Sequence, residues 1–336
     1  SEGLGRVSLG VQGDKSPTEY ARLATMAEEC GFDTISVYND LGFQPAIYPL
    51  LMMARETARI RLGAACYNPY LTHPVEMAGQ VAALDLASGG RAYLGLTRGA
   101  WLDRVGLDQP RPLRAMRETV DVVRCLLSGS QEGYFGQMFH LEAGTSLQYA
   151  VQRGDVDVLM GTWGPRGARL AAECADEVKL GGCANPDMVT LMRDWLDTGT
   201  QRVGRDTSAV GVVAGAVTVV DEDARAARSR ARAEVAMYLP VVAKLDPTVS
   251  LPDDLCGAMG DLVAEGKLVE AGALIPDEVL SRFCIAGTPA EIVEKAEVLF
   301  DAGASRVEFG TPHGLTDQSG IELLGTKVLP ALRGVA

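Results

Sequence analysis

The sequence contains little histidine, and its cysteines show no metal-binding spacing. The three histidines, at positions 73, 140 and 313, lie far apart, and none of the seven cysteines is separated from another by two residues. Zinc sites and disulfide frameworks usually show short, repeated Cys or His spacings. We therefore expect reduced cysteines and predict no metal site.

The sequence also lacks a long apolar run and an excess of positive charge. No apolar stretch approaches the roughly 18 residues of a membrane span, and the opening SEGLGRVSLG has neither the basic region nor the apolar core of a signal peptide. The formal net charge of -13 is unfavourable for binding nucleic acid or an anionic membrane. These absences predict a cytoplasmic protein whose main partner is a small molecule.

Apolar strand segments alternate with amphipathic helical segments along most of the chain. This alternation is typical of parallel βα units, and eight such units predict a closed (βα)8 TIM barrel with insertions. The alternative, an open doubly wound sheet, normally carries G-x-G-x-x-G after its first strand, where this chain has VQGDKS. The predicted strands cover residues 6–12, 33–40, 59–66, 91–99, 156–162, 176–182, 208–220 and 305–311.

The insertions are predicted at two places in a single domain that spans residues 1–336. Residues 131–143 have the pattern of a small β-hairpin on the surface. Residues 221–283 combine several helical patterns with a middle rich in Pro, Gly and Asp, which indicates a helical excursion outside the barrel. A barrel of this length needs no second domain.

The candidate site residues are those that follow the predicted strands, because a barrel binds its ligands at the C-terminal ends of its strands. Small residues, amides, aromatics and scattered arginines dominate there, a set that suits a planar cofactor with its own reactivity. The segment GTWGPRG opens a helix, whose free N–H groups favour a phosphate. Its candidate residues are Gly161, Thr162, Gly164, Pro165 and Arg166.

Basic and aromatic residues at the other strand ends extend this candidate site. Arg98 and Lys179 are candidates for pairing with an anionic cofactor tail, and the alternative is that both are ordinary surface charges. Trp101, Trp163 and His313 are candidates for stacking on a substrate, and the alternative is that they are packed residues. The residues alone leave these alternatives open.

Three blocks of the sequence together resemble one known superfamily. They are RIRLGAACYNPYLTHPVEMAGQVAALDLASGGRAYLGL, GTWGPRGARLAAECAD and FCIAGTPAEIVEKAEVLFDAGASRVEFGTP. The chain resembles the bacterial-luciferase-like flavin and deazaflavin superfamily, and within it the F420-dependent methylenetetrahydromethanopterin reductases. The resemblance implies a luciferase-like barrel and an F420-dependent oxidoreductase that moves a hydride to or from a C=N, iminium or C=C carbon.

The same resemblance implies roles for residues after strands two, three and four. In that superfamily a non-prolyl cis peptide presses on the cofactor ring, and the matching bond here is Ala65–Cys66. Its neighbours Ala64 and Asn68 are then cofactor contacts, and Thr97, at the end of the fourth strand where the relatives are richer in glycine, is a further cofactor-binding candidate. Where relatives commonly have Asp-His, this chain has Asn39-Asp40, so Asn39 and Asp40 are the catalytic candidates, with helix capping as the alternative for Asp40. Gln12 is a candidate substrate contact.

Two further functions remain open at this stage. One is a two-component monooxygenase that uses FMN, reduced by a partner reductase. The other is a flavin-binding protein without turnover, which the missing histidine after the second strand leaves open. The resemblance also implies a homodimer or higher oligomer and leaves open an F420 reductase as a partner, while the substrate is not indicated.

Overall fold

Eight of the apolar segments form a closed parallel barrel in a computed structural model, which describes residues 5–334. The barrel strands follow the order β1-β2-β3-β4-β7-β8-β9-β11, and β11 pairs with β1 to close the ring. The TIM barrel prediction is therefore confirmed. The strands are β1 (Arg6–Val11), β2 (Thr34–Val37), β3 (Arg61–Ala64), β4 (Ala92–Leu96), β5 (Tyr134–Phe135), β6 (His140–Leu141), β7 (Val158–Gly161), β8 (Glu177–Gly181), β9 (Gly211–Val220), β10 (Cys284–Gly287) and β11 (Arg306–Gly314).

Helices cover the outside of the barrel and connect its strands. The first shows how local sequence fixes their ends: Ser16 and Glu19 form a capping box, Pro17 takes the first position, and Gly31 ends the helix with φ 87°. The helices are α1 (Pro17–Cys30), α2 (Ile47–Arg55), α3 (Pro74–Ser88), α4 (Pro112–Ser128), α5 (Pro165–Cys174), α6 (Pro186–Arg202), α7 (Ala224–Ala236), α8 (Leu239–Val242), α9 (Asp253–Ala264), α10 (Leu268–Ala273), α11 (Asp277–Phe283), α12 (Pro289–Asp301), α13 (Asp317–Leu323) and α14 (Leu329–Leu332). None of these helices is both long enough and apolar enough to cross a membrane.

The regions expected to be insertions contain a short β-hairpin and a group of helices. Strands β5 and β6 form an antiparallel hairpin. Helices α7 to α11 pack around an apolar cluster of their own, which includes Ala231, Val235, Met259 and Phe283. The single-domain assignment for residues 1–336 stays a prediction, and its ends, residues 1–4 and 335–336, lie outside the described residues.

Two elements differ from the sequence-based expectation. Strand β10 is not predicted, and it pairs with the second half of β9, from Val217 to Val220. The last predicted helix is divided into α13 and α14 by a π-helical turn at Leu324–Val328. Pro330 follows this turn and has no N–H for the helical hydrogen-bond pattern, which favours such an interruption.

The barrel interior contains charged side chains where branched apolar residues are usual. The Arg306 guanidinium lies 3.0 Å from Glu177 and 3.4 Å from Glu308. Glu308 also forms an ion pair with Lys179. The Arg306 and Arg61 charges hold the pKa of Glu177 at about 2, although burial acts to raise it. A chain of ion pairs therefore links β8 and β11 through the barrel interior.

Candidate active site

A cavity of about 790 Å³ opens at the C-terminal ends of the barrel strands. This is the position that the barrel fold predicts for a ligand site, and the volume is typical of a small-molecule or cofactor pocket. Most sequence-predicted residues line it, namely Asn39, Asp40, Ala65, Cys66, Asn68, Thr97, Arg98, Trp101, Gly161, Thr162, Trp163, Gly164, Arg166 and Lys179. Their individual roles stay predictions.

The bulge after β3 has the backbone geometry that the resemblance implied. The Ala65–Cys66 peptide bond is cis. Neighbouring strands hold both sides of the bulge, because the Ala65 N–H donates to Val37 O at 2.7 Å and the Tyr67 N–H donates to Gly95 O at 2.9 Å. Burial raises the pKa of the Cys66 thiol to about 12, so this thiol is neutral. The bulge therefore presents uncharged backbone and a small thiol to the cavity.

Asn68 and Asn39 line the cavity but use their side-chain oxygens to hold loops. Asn68 Oδ1 accepts hydrogen bonds from the N–H groups of Tyr70 and Leu71, at 3.2 and 2.9 Å. Asn39 Oδ1 accepts one from Ala46 N–H at 3.0 Å. An acceptor occupied in this way positions the loop. The amide N–H₂ groups are the parts of these side chains that remain to bind a ligand.

Asp40 is the acidic side chain at the cavity. It is exposed within the cavity, and Gln12 Nε2 donates to its Oδ2 at 3.4 Å. The protein surrounding the cavity raises the pKa of Asp40, while the Gln12 hydrogen bond and the Lys179 charge act in the opposite direction. Gln12 thus contacts Asp40 rather than the cavity itself, since it is not one of the lining residues.

The helix start after β7 provides a narrow, glycine-lined edge. Gly164 precedes α5 without a side-chain cap, which leaves N–H groups of the first turn without helical partners. A Cβ on Gly161 would lie 3.2 Å from Thr97 Cβ, so a side chain here would have to displace Thr97 by a few tenths of an ångström. Arg166 and Arg98 both line the cavity, and neither forms an ion pair with any residue in the range 5–334. This side of the cavity is suited to an anion.

His313 is a correction to the sequence-based expectation. Its side chain is completely buried, and its Nε2 donates toward the carbonyl oxygens of Gly10 and Phe309, at 3.0 and 3.1 Å. Burial lowers the pKa of the His313 imidazole to about 4. The ring therefore has no surface on which a substrate could stack, because β11 continues past residue 311 and carries this side chain into the protein.

Three other predicted residues occupy positions different from those expected. Ala64 is buried and Pro165 begins α5, and neither lines the cavity. Lys179 lines the cavity, but its side chain is 7% exposed and is paired with Glu308 inside the barrel. It is therefore not a free cation for a cofactor tail near α5. The strand places its side chain inward, which the sequence pattern does not reveal.

Sequence reasoning missed the wall that the helical excursion contributes. Residues 238–245, which we call the α8 segment, provide Tyr238, Val241, Val242 and Leu245 to the cavity. Val242 packs against Gly182, and a Cβ added to this glycine would lie 3.2 Å from Val242 Cγ1. The apolar run YLPVV was the available signal, but its position over the barrel depends on distant packing.

Comparison with known proteins decides the family. Residues 4–306 match the model of the luciferase-like monooxygenase family. The chain belongs to this family. A 5,10-methylenetetrahydromethanopterin reductase of Archaeoglobus fulgidus is 30% identical to this luciferase-like protein, over 92% of this chain and 94% of the relative.

Other relatives extend this similarity to named enzymes and to a solved structure. An F420-dependent glucose-6-phosphate dehydrogenase of Nakamurella multipartita is 27% identical over 95% of this luciferase-like chain and 94% of the relative. The solved structure of the coenzyme F420 dependent tetrahydromethanopterin reductase of Methanopyrus kandleri aligns with a TM-score of 0.87 and 26% identity, covering 98% of this chain and 99% of that one. The expected resemblance to this superfamily and its reductases is confirmed.

Proposed function

We propose that this luciferase-like protein is an F420-dependent oxidoreductase that moves a hydride between the cofactor and a small organic substrate, at a C=N, iminium or C=C carbon. Relatives with near-complete coverage are named as F420-dependent enzymes and as methylenetetrahydromethanopterin reductases. The observation that carries the proposal is the cavity itself, where an uncharged backbone bulge at Ala65–Cys66 and two unpaired arginines line one volume.

The cavity residues fit the chemical parts of F420. This cofactor has a flat ring and an anionic, phosphate-bearing tail, and when bound its ring carbon C5 donates or accepts a hydride. The Ala65–Cys66 bulge offers a flat uncharged surface to a ring. Gly161 allows close approach of backbone, while Arg98 and Arg166 supply positive charge for the tail.

The remaining lining residues would orient the substrate and exclude water. Trp101 and Trp163 line the cavity and offer large apolar surfaces at its edge. Asp40 is the group that we expect to hold or accept a proton at its Oδ2 atom, where Gln12 already donates a hydrogen bond. Because the protein around the cavity partly desolvates Asp40 and raises its pKa, this carboxyl releases its proton at a higher pH than a free aspartate does.

The cofactor and the reaction are tested by titration and turnover. Purified protein is titrated with F420 and with FMN, and bound ligand is followed by fluorescence. We expect F420 to bind at least about tenfold more tightly than FMN, which corresponds to roughly 1.4 kcal/mol. Consumption of reduced F420 is then followed by absorbance with cyclohex-2-en-1-one and with a cyclic imine, in wild type and in Asp40→Asn.

Each alternative function gives a different result in these experiments. Preferential FMN binding, with oxygen consumed once a flavin reductase is added, would replace the proposal with a two-component monooxygenase. Tight F420 binding without substrate-dependent oxidation across a broad set of imines and enones would favour a binding protein. The homodimer or higher oligomer, and a separate F420 reductase as partner, stay predictions that sedimentation and reconstitution address.

A further inference from the structure

The barrel interior holds a row of alternating charges that ends at the cavity. We call Glu177, Arg306, Glu308 and Lys179 the interior charge row. Their side chains are between 0% and 7% exposed, and each contacts the next. Burying this many charges is costly unless every one is paired. Filling the barrel interior does not by itself explain these charged side chains, since apolar residues usually fill it.

Lys179 is the member of the row that lines the cavity. Its Nζ atom lies 5.0 Å from the centre of the Tyr38 ring. Its charge also acts on cavity residues from two other strand ends, Cys66 and Asp40, and in both it opposes the rise in pKa that burial causes. The ammonium thus lies close to the bulge that the proposed function assigns to the cofactor ring.

The order of charges along the row places a cation, Lys179, at the cavity end. Glu308 contacts both Arg306 and Lys179, so one carboxylate serves two cations. Arg306 also contacts Glu177, but that carboxylate is shared with Arg61 and Arg6. Lys179 lines the cavity whereas Glu308 does not, so their ion pair presents its ammonium, and not its carboxylate, to the cavity. In a site with little water, a fixed positive charge strongly stabilises negative charge that develops during a reaction.

We propose that Lys179, positioned by Glu308, makes the cavity floor electropositive and favours the cofactor form that has accepted a hydride. This inference rests on the proposed function. When a hydride moves, a C–H bond of the substrate breaks, a C–H bond on the ring forms, and the electron pair arrives with the hydrogen. The ring then carries one more negative charge until a proton follows, and a nearby ammonium stabilises that charge.

The test compares the affinities of the two cofactor forms, which does not depend on turnover. Dissociation constants for oxidised and for reduced F420 are measured under anaerobic conditions by fluorescence and by equilibrium dialysis. Three variants are used: Lys179→Met, Lys179→Gln and the double variant Lys179→Met/Glu308→Leu. The double variant removes both charges of the Lys179–Glu308 pair, so no carboxylate is left without Lys179, and Arg306 keeps Glu177 as its partner.

We expect the ratio of the oxidised-form to the reduced-form dissociation constant to fall about tenfold in these variants. For a two-electron couple this equals a decrease of about 30 mV in the potential of the bound cofactor. The matched control Lys327→Met/Glu222→Leu removes an exposed ion pair, with side chains 54% and 62% exposed, and should leave the ratio unchanged. A purely structural role for Lys179 would weaken both forms equally.

The outcomes separate this inference from the proposed function. If wild-type protein binds F420 and the ratio stays within twofold in every folded variant, the inference is wrong and the proposed function stands. If wild-type protein binds neither form of F420, the proposed function fails and the inference fails with it. A tenfold change in the control variant would also overturn the inference, because the effect would then not belong to Lys179.

Discussion

The two sides of the cavity differ in charge and in origin. One side, which we call the polar side, comes from the strand ends of β2, β3, β4 and β7 and carries Asp40, Arg98 and Arg166. The other, the apolar side, comes from β8, β9 and the α8 segment, and presents residues such as Val217 and Val242. The polar side is suited to a charged cofactor, and the apolar side to a substrate without charge.

Under the proposed function, this difference assigns the anionic cofactor to one side and the substrate to the other. The polar side consists of short turns between a strand and the next helix, where free N–H groups and charged side chains are close together in the sequence. The apolar side is completed by a helical excursion that returns over the strand ends. Lys179 of β8 lies between the two sides, because its ammonium pairs with Glu308 and its charge acts on Cys66 and Asp40 of the polar side.

The largest expected effect comes from closing the narrowest point of the polar side. In Gly161→Val the new Cβ would lie 3.2 Å from Thr97 Cβ, and the larger side chain would block the approach of a cofactor. We expect F420 affinity to fall roughly 100-fold, since overpacking costs roughly 1–3 kcal/mol. The control is Gly181→Val on the apolar side, where a Cβ meets nothing within 4 Å. F420 affinity is measured by fluorescence titration. Equal losses of affinity in both variants would contradict the assignment of the cofactor to the polar side.

A charge introduced on the apolar side should weaken substrate binding and leave F420 binding unchanged. We expect Val242→Lys to raise the KM for cyclohex-2-en-1-one roughly tenfold, because an apolar contact worth about 1.5 kcal/mol is replaced by a charged group. The dissociation constant of F420 should stay within about twofold. Val203→Lys, at a position 45% exposed and outside the cavity lining, is the control. A loss of F420 affinity with unchanged KM would reverse the assignment of the two sides.

Reversing one charge on the polar side tests the anion site. We expect Arg166→Glu to weaken F420 binding roughly tenfold at low salt, and the loss to shrink near 1 M salt, where the screening length is about 3 Å. Arg169→Glu changes the same charge on the same helix at a position 68% exposed and outside the lining. Titration at both salt concentrations should show no comparable loss for it. A loss independent of salt would mean that Arg166 acts by shape rather than by charge.

The smallest expected effect concerns stability and Asp40. Its pKa is raised in the folded protein, so the folded protein binds a proton more tightly than the unfolded chain, and stability falls as pH rises through the window above 3.8. Asp40→Asn should remove this penalty and increase the free energy of unfolding at pH 7 by no more than about 0.5 kcal/mol, because solvent in the cavity screens the charge. Urea unfolding at pH 3 and pH 7, with Asp108→Asn as control, checks this. A gain at pH 3 equal to that at pH 7 would contradict it.

Several features of the chain follow from local sequence alone. Most of the barrel strands are rich in apolar residues because both faces of a parallel barrel strand are covered. Helix α1 begins and ends where Ser16, Pro17 and Gly31 predict, since caps and glycine satisfy the end groups within a few residues. Strand order then brings the candidate residues after β2, β3, β4 and β7 to one cavity. For this reason the polar side was predictable.

Other features depend on residues that are distant in the sequence and were decided only by the tertiary structure. Lys179 and Glu308 are 129 positions apart, and their pairing depends on which way two strands point their side chains into the barrel. His313 is buried because β11 continues beyond its predicted end. The α8 segment reaches the cavity because the helices after β9 pack on one another. Local periodicity defines elements and their ends, but long-range packing decides which side chains meet, and the apolar side of this cavity depends on such packing.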